Sequence, residues 1–235
     1  MERLKSLSCF FPAFNEEANL PRLLDEVVST LPRFAEQWEA VIVDDGSTDR
    51  TAEIVSEFAA RHPEVRLVSH DGNRGYGEAL RTGFRSCTGE AVFFTDADLQ
   101  FRLSDLERIV PSFADADVVI GYRRKRRDPW HRLVVAAVYH FVLRVLFRLD
   151  VHDVDCAFKL FGRPVVDAFV GELRSRSAFI SPELVIRSRQ AGFGLVEVGV
   201  PHYPRVAGAA GGASPKVILR TIREITALRR DLRAR

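Results

Sequence analysis

Residues Ala91 to Gln100 read AVFFTDADLQ, an apolar run that stops abruptly at two carboxylates one residue apart. A short continuous apolar run predicts a strand buried on both faces, as in a parallel sheet covered by helices. In such sheets ligands bind in the crevice beyond the carboxyl ends of the strands, so Asp96 and Asp98 are expected to face a pocket. Alternate residues of an extended chain point the same way, which would let Asp96, Asp98 and the Gln100 amide reach one hard cation through oxygen. The same D-x-D also serves simply to end a strand and cap the next element, and alone it does not decide between the two roles.

Outward from this stretch, the first half of the chain alternates. Leu4 to Phe11 predicts a strand closed by Pro12, and a helix comes next with Leu20, Leu23, Leu24, Val27 and Val28 on one face. Trp38 to Val43 predicts a second buried strand that also ends in acids, Asp44 and Asp45, before Gly46-Ser47-Thr48-Asp49. Ser47 or Thr48 is a natural N-cap for a helix running to Ala60. Val65 to Ser69 predicts a third strand, D-G-N-R-G-Y-G a glycine-rich turn, and Glu78 to Cys87 a helix. After the D-x-D, Ser104 to Glu107 predicts a capping box for a helix that ends before a strand at Asp117 to Gly121. This order is the signature of an α/β fold with a doubly wound, mostly parallel sheet and flanking helices, built as a single domain.

The alternation then stops. Arg123, Arg124, Lys125, Arg126, Arg127 and Arg132 place six positive charges within ten residues, and an apolar helix extends over Leu133 to Phe147. Asp153 to Phe161 predicts a strand or extended loop, Pro164 to Gly171 and Pro182 to Gln190 predict helices, and Leu195 to Val198 a strand. A glycine and alanine stretch spans Gly208 to Ala213, and a basic helix runs from Pro215.

Composition narrows the classes. The 235 residues are 46% hydrophobic and 28% charged, enough for one sizeable core. A net charge of +2 offers no global attraction for nucleic acid, so any electrostatic partner must be met locally. Cys9, Cys87 and Cys156 stand far apart with no C-x-x-C pair, which disfavours a disulfide framework or a structural zinc site and suits a reducing compartment. No secretory leader is expected at the start of the chain. Leu133 to Phe147, interrupted by His140 and Arg144, is too short to span about 30 Å of hydrocarbon.

Several motifs occur together in order: P-A-F-N-E-E, V-D-D-G-S-T-D, N-R-G-Y-G-E-A, D-A-D-L-Q, then G-Y-R, W-H-R, D-V-D-C-A-F-K-L-F and H-Y-P-R-V-A-G with S-P-K downstream. This series resembles the inverting family 2 glycosyltransferases of GT-A fold, and within them the dolichol-phosphate mannose synthase type. The resemblance implies transfer of a hexose from a nucleotide sugar, GDP-mannose or a UDP-hexose, to a polyprenyl phosphate, with Mg²⁺ or Mn²⁺ as cofactor. By matching position it implies that Pro12, Phe14, Glu16, Asp44 and Asp45 cradle the nucleotide, and that Asp96, Asp98 and Gln100 hold the metal. Arg205 and Lys216 would steady the donor diphosphate. Arg123 and Arg132 would grip the acceptor phosphate, and Asp153 would orient the acceptor or act as base.

The basic run bears on the acceptor. A sugar hydroxyl needs a positioned base, whereas a phosphate monoester is already largely dianionic at neutral pH and needs arginines more than a base. Arg124 to Arg127 read as a solvated run or a membrane-surface contact. Leu133 to Phe147, flanked by Arg132, Arg144 and Arg148, reads as a core helix or one lying in the membrane interface. The expected location is cytoplasmic, peripheral on the inner membrane face. Residues 1–121 would form the nucleotide-sugar half, 122–214 the acceptor half of the same domain, and 215–235 a basic terminal helix. Phe14 replaces the family's tyrosine, Ala136 a serine and Lys159 an arginine, and the stretch between Arg205 and Lys216 is longer than the family's. A glycosyltransferase with a hydroxyl acceptor, a nucleotidyltransferase and a catalytically silent sugar-nucleotide or membrane-binding module are the rival readings. The nucleotidyltransferase lacks a lysine-bearing triphosphate loop here.

Overall fold

In the computed structural model, which describes residues 3–124, 130–205 and 215–234, with 130–135 and 215 as backbone alone, β1 (Leu4–Ala13) lies inside a seven-stranded sheet. Its neighbours are β2 (Ala35–Asp44) and β4 (Ala91–Thr95), both parallel to it, with β3 (Val65–Ser69) outside β2. Beyond β4 come β6 (Phe158–Gly162), antiparallel to both neighbours, β5 (Val118–Arg123) and β7 (Leu195–Val200). The strand order is therefore β3-β2-β1-β4-β6-β5-β7. The chain winds outward from β1 through β2 to β3, then crosses to β4 on the other side. The carboxyl ends of β1 and β4 thus flank the point where winding reverses, and an open sheet forms its ligand crevice there.

The continuous apolar runs of the central strands reflect burial on both faces. Cys9, Phe11, Ile42 and Phe93 turn to one side, against α1 (Leu20–Thr30), α2 (Thr51–Ala59) and the short α4 (Leu106–Ile109). Phe10, Val41, Val92 and Phe94 turn to the other, under α3 (Tyr76–Ser86), α5 (Trp130–Phe147), α6 (Arg163–Phe169), α7 (Ile180–Gln190) and α8 (Pro215–Arg233). α3 comes so close to the sheet that a Cβ on Gly83 would sit 2.1 Å from the Phe10 ring.

α8 is fixed to the body by more than Ile225 and Leu228. Arg187 on α7 is fully buried and donates to Glu183 on its own helix and to Asp231 on α8, at 3.0 and 2.7 Å. Glu224 accepts from the backbone of Arg176 and Ser177. The first turns of α8 leave Ile218, Leu219 and Ile222 exposed, as α5 leaves Val138, Phe141 and Val145, while Leu143 and Phe147 of α5 are buried. Among the described residues no helix is long and apolar enough to cross a membrane.

Several expectations are corrected. Pro12 does not close β1: pairing with β4 ends at Phe10, so Pro12 lies beside β2 alone, where the donor it lacks is not called on. Ser47 and Thr48 do not cap α2, which starts at Thr51 with the Thr51 N–H bonded to Asp49 Oδ1 at 2.9 Å. The Ser104 capping box does not form; Leu103–Asp105 is a 3₁₀ turn whose first N–H is taken by Glu26 of α1, at 2.5 Å from Leu103 N. Residues 125–127 of the basic run and the Gly208 to Ala213 stretch lie outside the described residues.

Candidate active site

A cleft of about 310 Å³ opens at the carboxyl ends of β1, β2 and β4. The β1 end supplies Pro12, Ala13 and the half-exposed ring of Phe14 to its wall. Asn15 then adopts a φ of +55°, a left-handed turn that asparagine tolerates well. This turn is locked to the loop after β2: Asn15 N donates to Ser47 Oγ and Thr48 N to Asn15 Oδ1, both at 2.8 Å. Glu16 comes next, its carboxylate accepting from Asn19 Nδ2 at 2.6 Å. Burial raises the Glu16 carboxyl above its usual value; the Asn19 bond opposes the rise and the neighbouring Asp98 adds to it.

The two acids ending β2 do different jobs. Asp44 is buried and accepts from Ser47 N at 3.0 Å, shaping the loop behind the cleft. Asp45 lines the cleft and binds the glycine-rich turn, accepting from Arg74 N and Gly75 N at 2.8 Å each. Its Oδ1 also meets His70 Nδ1 at 2.8 Å. A carboxylate only accepts, so Nδ1 carries the proton, and in the neutral ring Nε2 accepts from Thr82 Oγ1 at 2.9 Å. Gly46 permits this junction twice over: its φ is +71°, and a Cβ there would lie 2.3 Å from the backbone of Gly72.

At the end of β4 the D-x-D turns into the cleft. Tyr76, at the start of α3, donates its hydroxyl to Asp96 Oδ1 at 2.7 Å. Burial, then the neighbouring Asp98 carboxylate, push Asp96 up to about 7 against the opposing Tyr76 bond. Leu99 holds a φ of +60°, unusual for a branched side chain, and this reversal lets Gln100 N donate to Asp98 Oδ1 at 3.1 Å. Arg205 Nη2 lies 2.6 Å from Asp98 Oδ2 and 3.5 Å from Gln100 Oε1. The segment carrying Arg205 is strapped to the same turn, with Tyr203 N donating to Gln100 O at 2.9 Å and the Arg102 guanidinium 4.3 Å from the Tyr203 ring centre.

Two crowded carboxylates, one of them reluctant to ionise, form a donor set that a divalent cation would relieve. Among the described residues no three carboxylate, imidazole or thiol groups converge, so an all-protein cage is not built. Two carboxylates and an amide suit Mg²⁺ or Mn²⁺, which take the rest of their oxygen ligands from phosphate and water.

Further along the sheet, Arg123 at the end of β5 grips Asp153 with two donors, Nε to Oδ2 at 2.6 Å and Nη2 to Oδ1 at 2.9 Å. Burial works against the guanidinium charge, but Asp153 more than offsets it and holds Arg123 above its ordinary value. Lys159, fully buried on β6, bonds the Cys156 carbonyl and stands 5.4 Å from the Phe94 ring centre. Cys156 itself is no nucleophile, since burial pushes its thiol up to about 12.

The structure thus brings Pro12, Phe14, Glu16, Asp45, Asp96, Asp98 and Arg205 to one cleft, with Gln100 at its edge and Asp44 one layer behind. Arg123 and Asp153 meet each other. Lys216 is exposed in the first turn of α8 and does not line the cleft, and the Arg132 side chain lies outside the described residues. Sequence reasoning missed Tyr76 and His70, and it named Lys159 only as a departure from the family's arginine. Tyr76 had a signal, an aromatic residue inside a glycine turn that opens a helix; His70 becomes visible only through partners that folding supplies.

A model of glycosyl transferase family 2 matches residues 8–169. An undecaprenyl-phosphate 4-deoxy-4-formamido-L-arabinose transferase of Pectobacterium carotovorum subsp. carotovorum (strain PC1) is 30% identical over 221 residues, covering 93% of this chain and 66% of that protein. A dolichyl-phosphate beta-glucosyltransferase of Trichomonas vaginalis (strain ATCC PRA-98 / G3) is 31% identical over 209 residues, covering 83% of this chain and 64% of its own. The chain therefore spans slightly less than two thirds of the length of these relatives. Among solved structures, glucosyl-3-phosphoglycerate synthase from Mycobacterium tuberculosis, in complex with Mn²⁺, UDP and glucosyl-3-phosphoglycerate, superposes with a TM-score of 0.69. The two are 19% identical, and the match covers 94% of this chain and 80% of that one. The shared fold is GT-A.

Proposed function

Because this chain belongs to glycosyl transferase family 2, we propose that it moves a hexose from a nucleotide sugar to a polyprenyl phosphate in a single inverting displacement. The relatives named for undecaprenyl-phosphate and dolichyl-phosphate substrates support the acceptor class. The observation that carries the choice is the paired grip of Arg123 on Asp153. A carboxylate held by two guanidinium donors is a weak base, so Asp153, the acid the family motif offers to a hydroxyl acceptor, is poorly suited to take its proton. A phosphate acceptor needs none: its oxygen attacks the anomeric carbon, the bond to the diphosphate breaks, and the electron pair leaves with the nucleoside diphosphate.

In this reading Pro12, Phe14, Glu16 and Asp45 line the wall that receives the nucleotide, and Asp44 acts through the loop it shapes behind them. Asp96, Asp98 and Gln100 would hold Mg²⁺ or Mn²⁺, and a divalent ion there would supply positive charge against the negative charge of the departing diphosphate. Arg205 steadies the diphosphate; Arg123 and Arg132 bind the acceptor phosphate, and Asp153 orients Arg123. Residues 1–121 serve the donor, joined by Arg205, and the rest of 122–214 serves the acceptor. The exposed Val138, Phe141 and Val145 of α5 and Ile218, Leu219 and Ile222 of α8, interspersed with Arg144, Lys216, Arg220 and Arg223, suit peripheral contact with the inner membrane face, where a lipid acceptor is presented.

The test is a donor screen. UDP-glucose, UDP-galactose, UDP-N-acetylglucosamine and GDP-mannose are each supplied with Mn²⁺, with and without a short-chain polyprenyl phosphate, and nucleoside diphosphate release is monitored. Release that requires both one donor and the lipid phosphate is the expected result. Release indifferent to the lipid would move the acceptor to a hydroxyl compound or water, and no release with any donor would favour a catalytically silent module.

A further inference from the structure

Arg205 stands where a cation is called for. Its Nη2 lies against Asp98 and Gln100, two of the three groups assigned above to the metal. The placement leaves the arginine half satisfied. Its Nε is buried with no acceptor, and an orphaned buried donor costs about 1–3 kcal/mol. Asp98 is held through one nitrogen, not through the paired fork a guanidinium offers to carboxylate or phosphate. The backbone before it is pinned to the Gln100 turn by the Tyr203 hydrogen bond and the Arg102 stack. Arg205 can therefore release Asp98 by side-chain rotation and remain at the cleft.

The geometry points to Arg205 and the divalent cation as alternative partners of Asp98. In the metal-free protein the arginine neutralises Asp98; when the cation takes Asp98, the freed Nε and Nη2 turn to the donor diphosphate. The inference rests on the metal and donor roles proposed above. It makes metal and nucleotide binding mutually reinforcing, because the cation alone must break an ion pair, whereas cation and diphosphate together give the released guanidinium a new anion.

Mn²⁺ binding to the full chain, read from the electron paramagnetic resonance signal of the free ion, tests this without turnover or acceptor. Without nucleotide, Arg205→Gln is expected to bind Mn²⁺ about threefold to tenfold more tightly than wild type, the range for removing a partly buried charge-assisted contact. With saturating UDP or GDP the order reverses, and the variant binds Mn²⁺ more weakly. Arg205→Lys, which keeps the charge and loses the fork, falls between the two without nucleotide, and it carries the comparison if the glutamine variant does not fold. Equal affinity of variant and wild type without nucleotide overturns the proposal. So does tightening under both conditions, which is the signature of losing a positive charge from the general field. Absence of Mn²⁺ binding overturns it together with the metal role, whereas intact exchange without sugar transfer overturns the acceptor reading alone.

Discussion

Asp96→Asn is expected to make the metal-free protein more stable and to abolish its response to metal. The substitution keeps the shape, and the new amide oxygen still accepts from the Tyr76 hydroxyl. The substitution removes a carboxylate that burial and the neighbouring Asp98 raise from 3.8 to about 7. At about 1.4 kcal/mol per pH unit, ionising Asp96 above that pH costs the fold roughly 4 kcal/mol. Asp96 lines an open cleft and keeps some solvent, which halves the figure to about 2 kcal/mol.

The sign is set by linkage. A carboxyl whose folded value lies above its unfolded value favours the fold fully at low pH, and that contribution is lost as pH rises from about 4 through 7. The asparagine variant has no such loss. At pH 8 without metal its melting temperature should exceed that of wild type by about 6 °C, since 1 kcal/mol moves a chain of this size by roughly 2–4 °C. At pH 4 the gain should vanish. Added Mn²⁺ at pH 8 should then raise the wild-type melting temperature and leave the variant where it was. Scanning calorimetry or fluorimetry at the two pH values reads all of this. A variant no more stable than wild type at pH 8, or equally stabilised at pH 4, refutes the reasoning that crowded, partly buried carboxylates are held in the cleft wall for a cation.

Gly83→Ala should cost about 1–3 kcal/mol, as overpacking does, because the new methyl meets the Phe10 ring at 2.1 Å. That ring is boxed in by Phe84 and Phe94 at 4.9 and 5.4 Å; a lower urea midpoint at unchanged slope is the expected reading. Phe14→Ala should do the reverse, leaving stability nearly unchanged because the ring is 44% exposed. It should weaken UDP or GDP binding about tenfold by calorimetric titration, within the ~1–3 kcal/mol that stacking a base on an aromatic ring supplies.

The donor side of this fold was legible because its signals are local. A strand buried on both faces must be apolar throughout, so β1, β2 and β4 stand out, and acids can come after such strands only where a crevice or solvent receives them. The errors arose where a distant partner displaced a local one. Ser47 and Thr48 look like helix caps, yet Asn15, more than thirty residues earlier, takes both of them, and the helix waits for Asp49. Ser104 has the right spacing for a capping box, but Glu26 already serves Leu103 N. β6 was indistinct because its place between β4 and β5, antiparallel to both, depends on pairing across more than 35 residues. No short-range pattern encodes that.

The same distinction separates the two ion pairs that give the site its logic. Asp153 and Arg123 are 30 positions apart, and Asp98 and Arg205 are 107 apart. Each residue could be named as important from its motif, but its charge state and availability are set by the partner. Pairing disarms Asp153 as a base and leaves Arg123 with a fixed orientation, which favours an acceptor that arrives already ionised. Pairing masks Asp98 until a stronger cation competes for it. A nucleotide sugar bound with a divalent ion is close to neutral, so loading the cleft exchanges partners more than it adds charge. Breaking the sugar–diphosphate bond then puts one more negative charge on the leaving group, and a guanidinium with a spare Nε beside it would stabilise that charge as it develops.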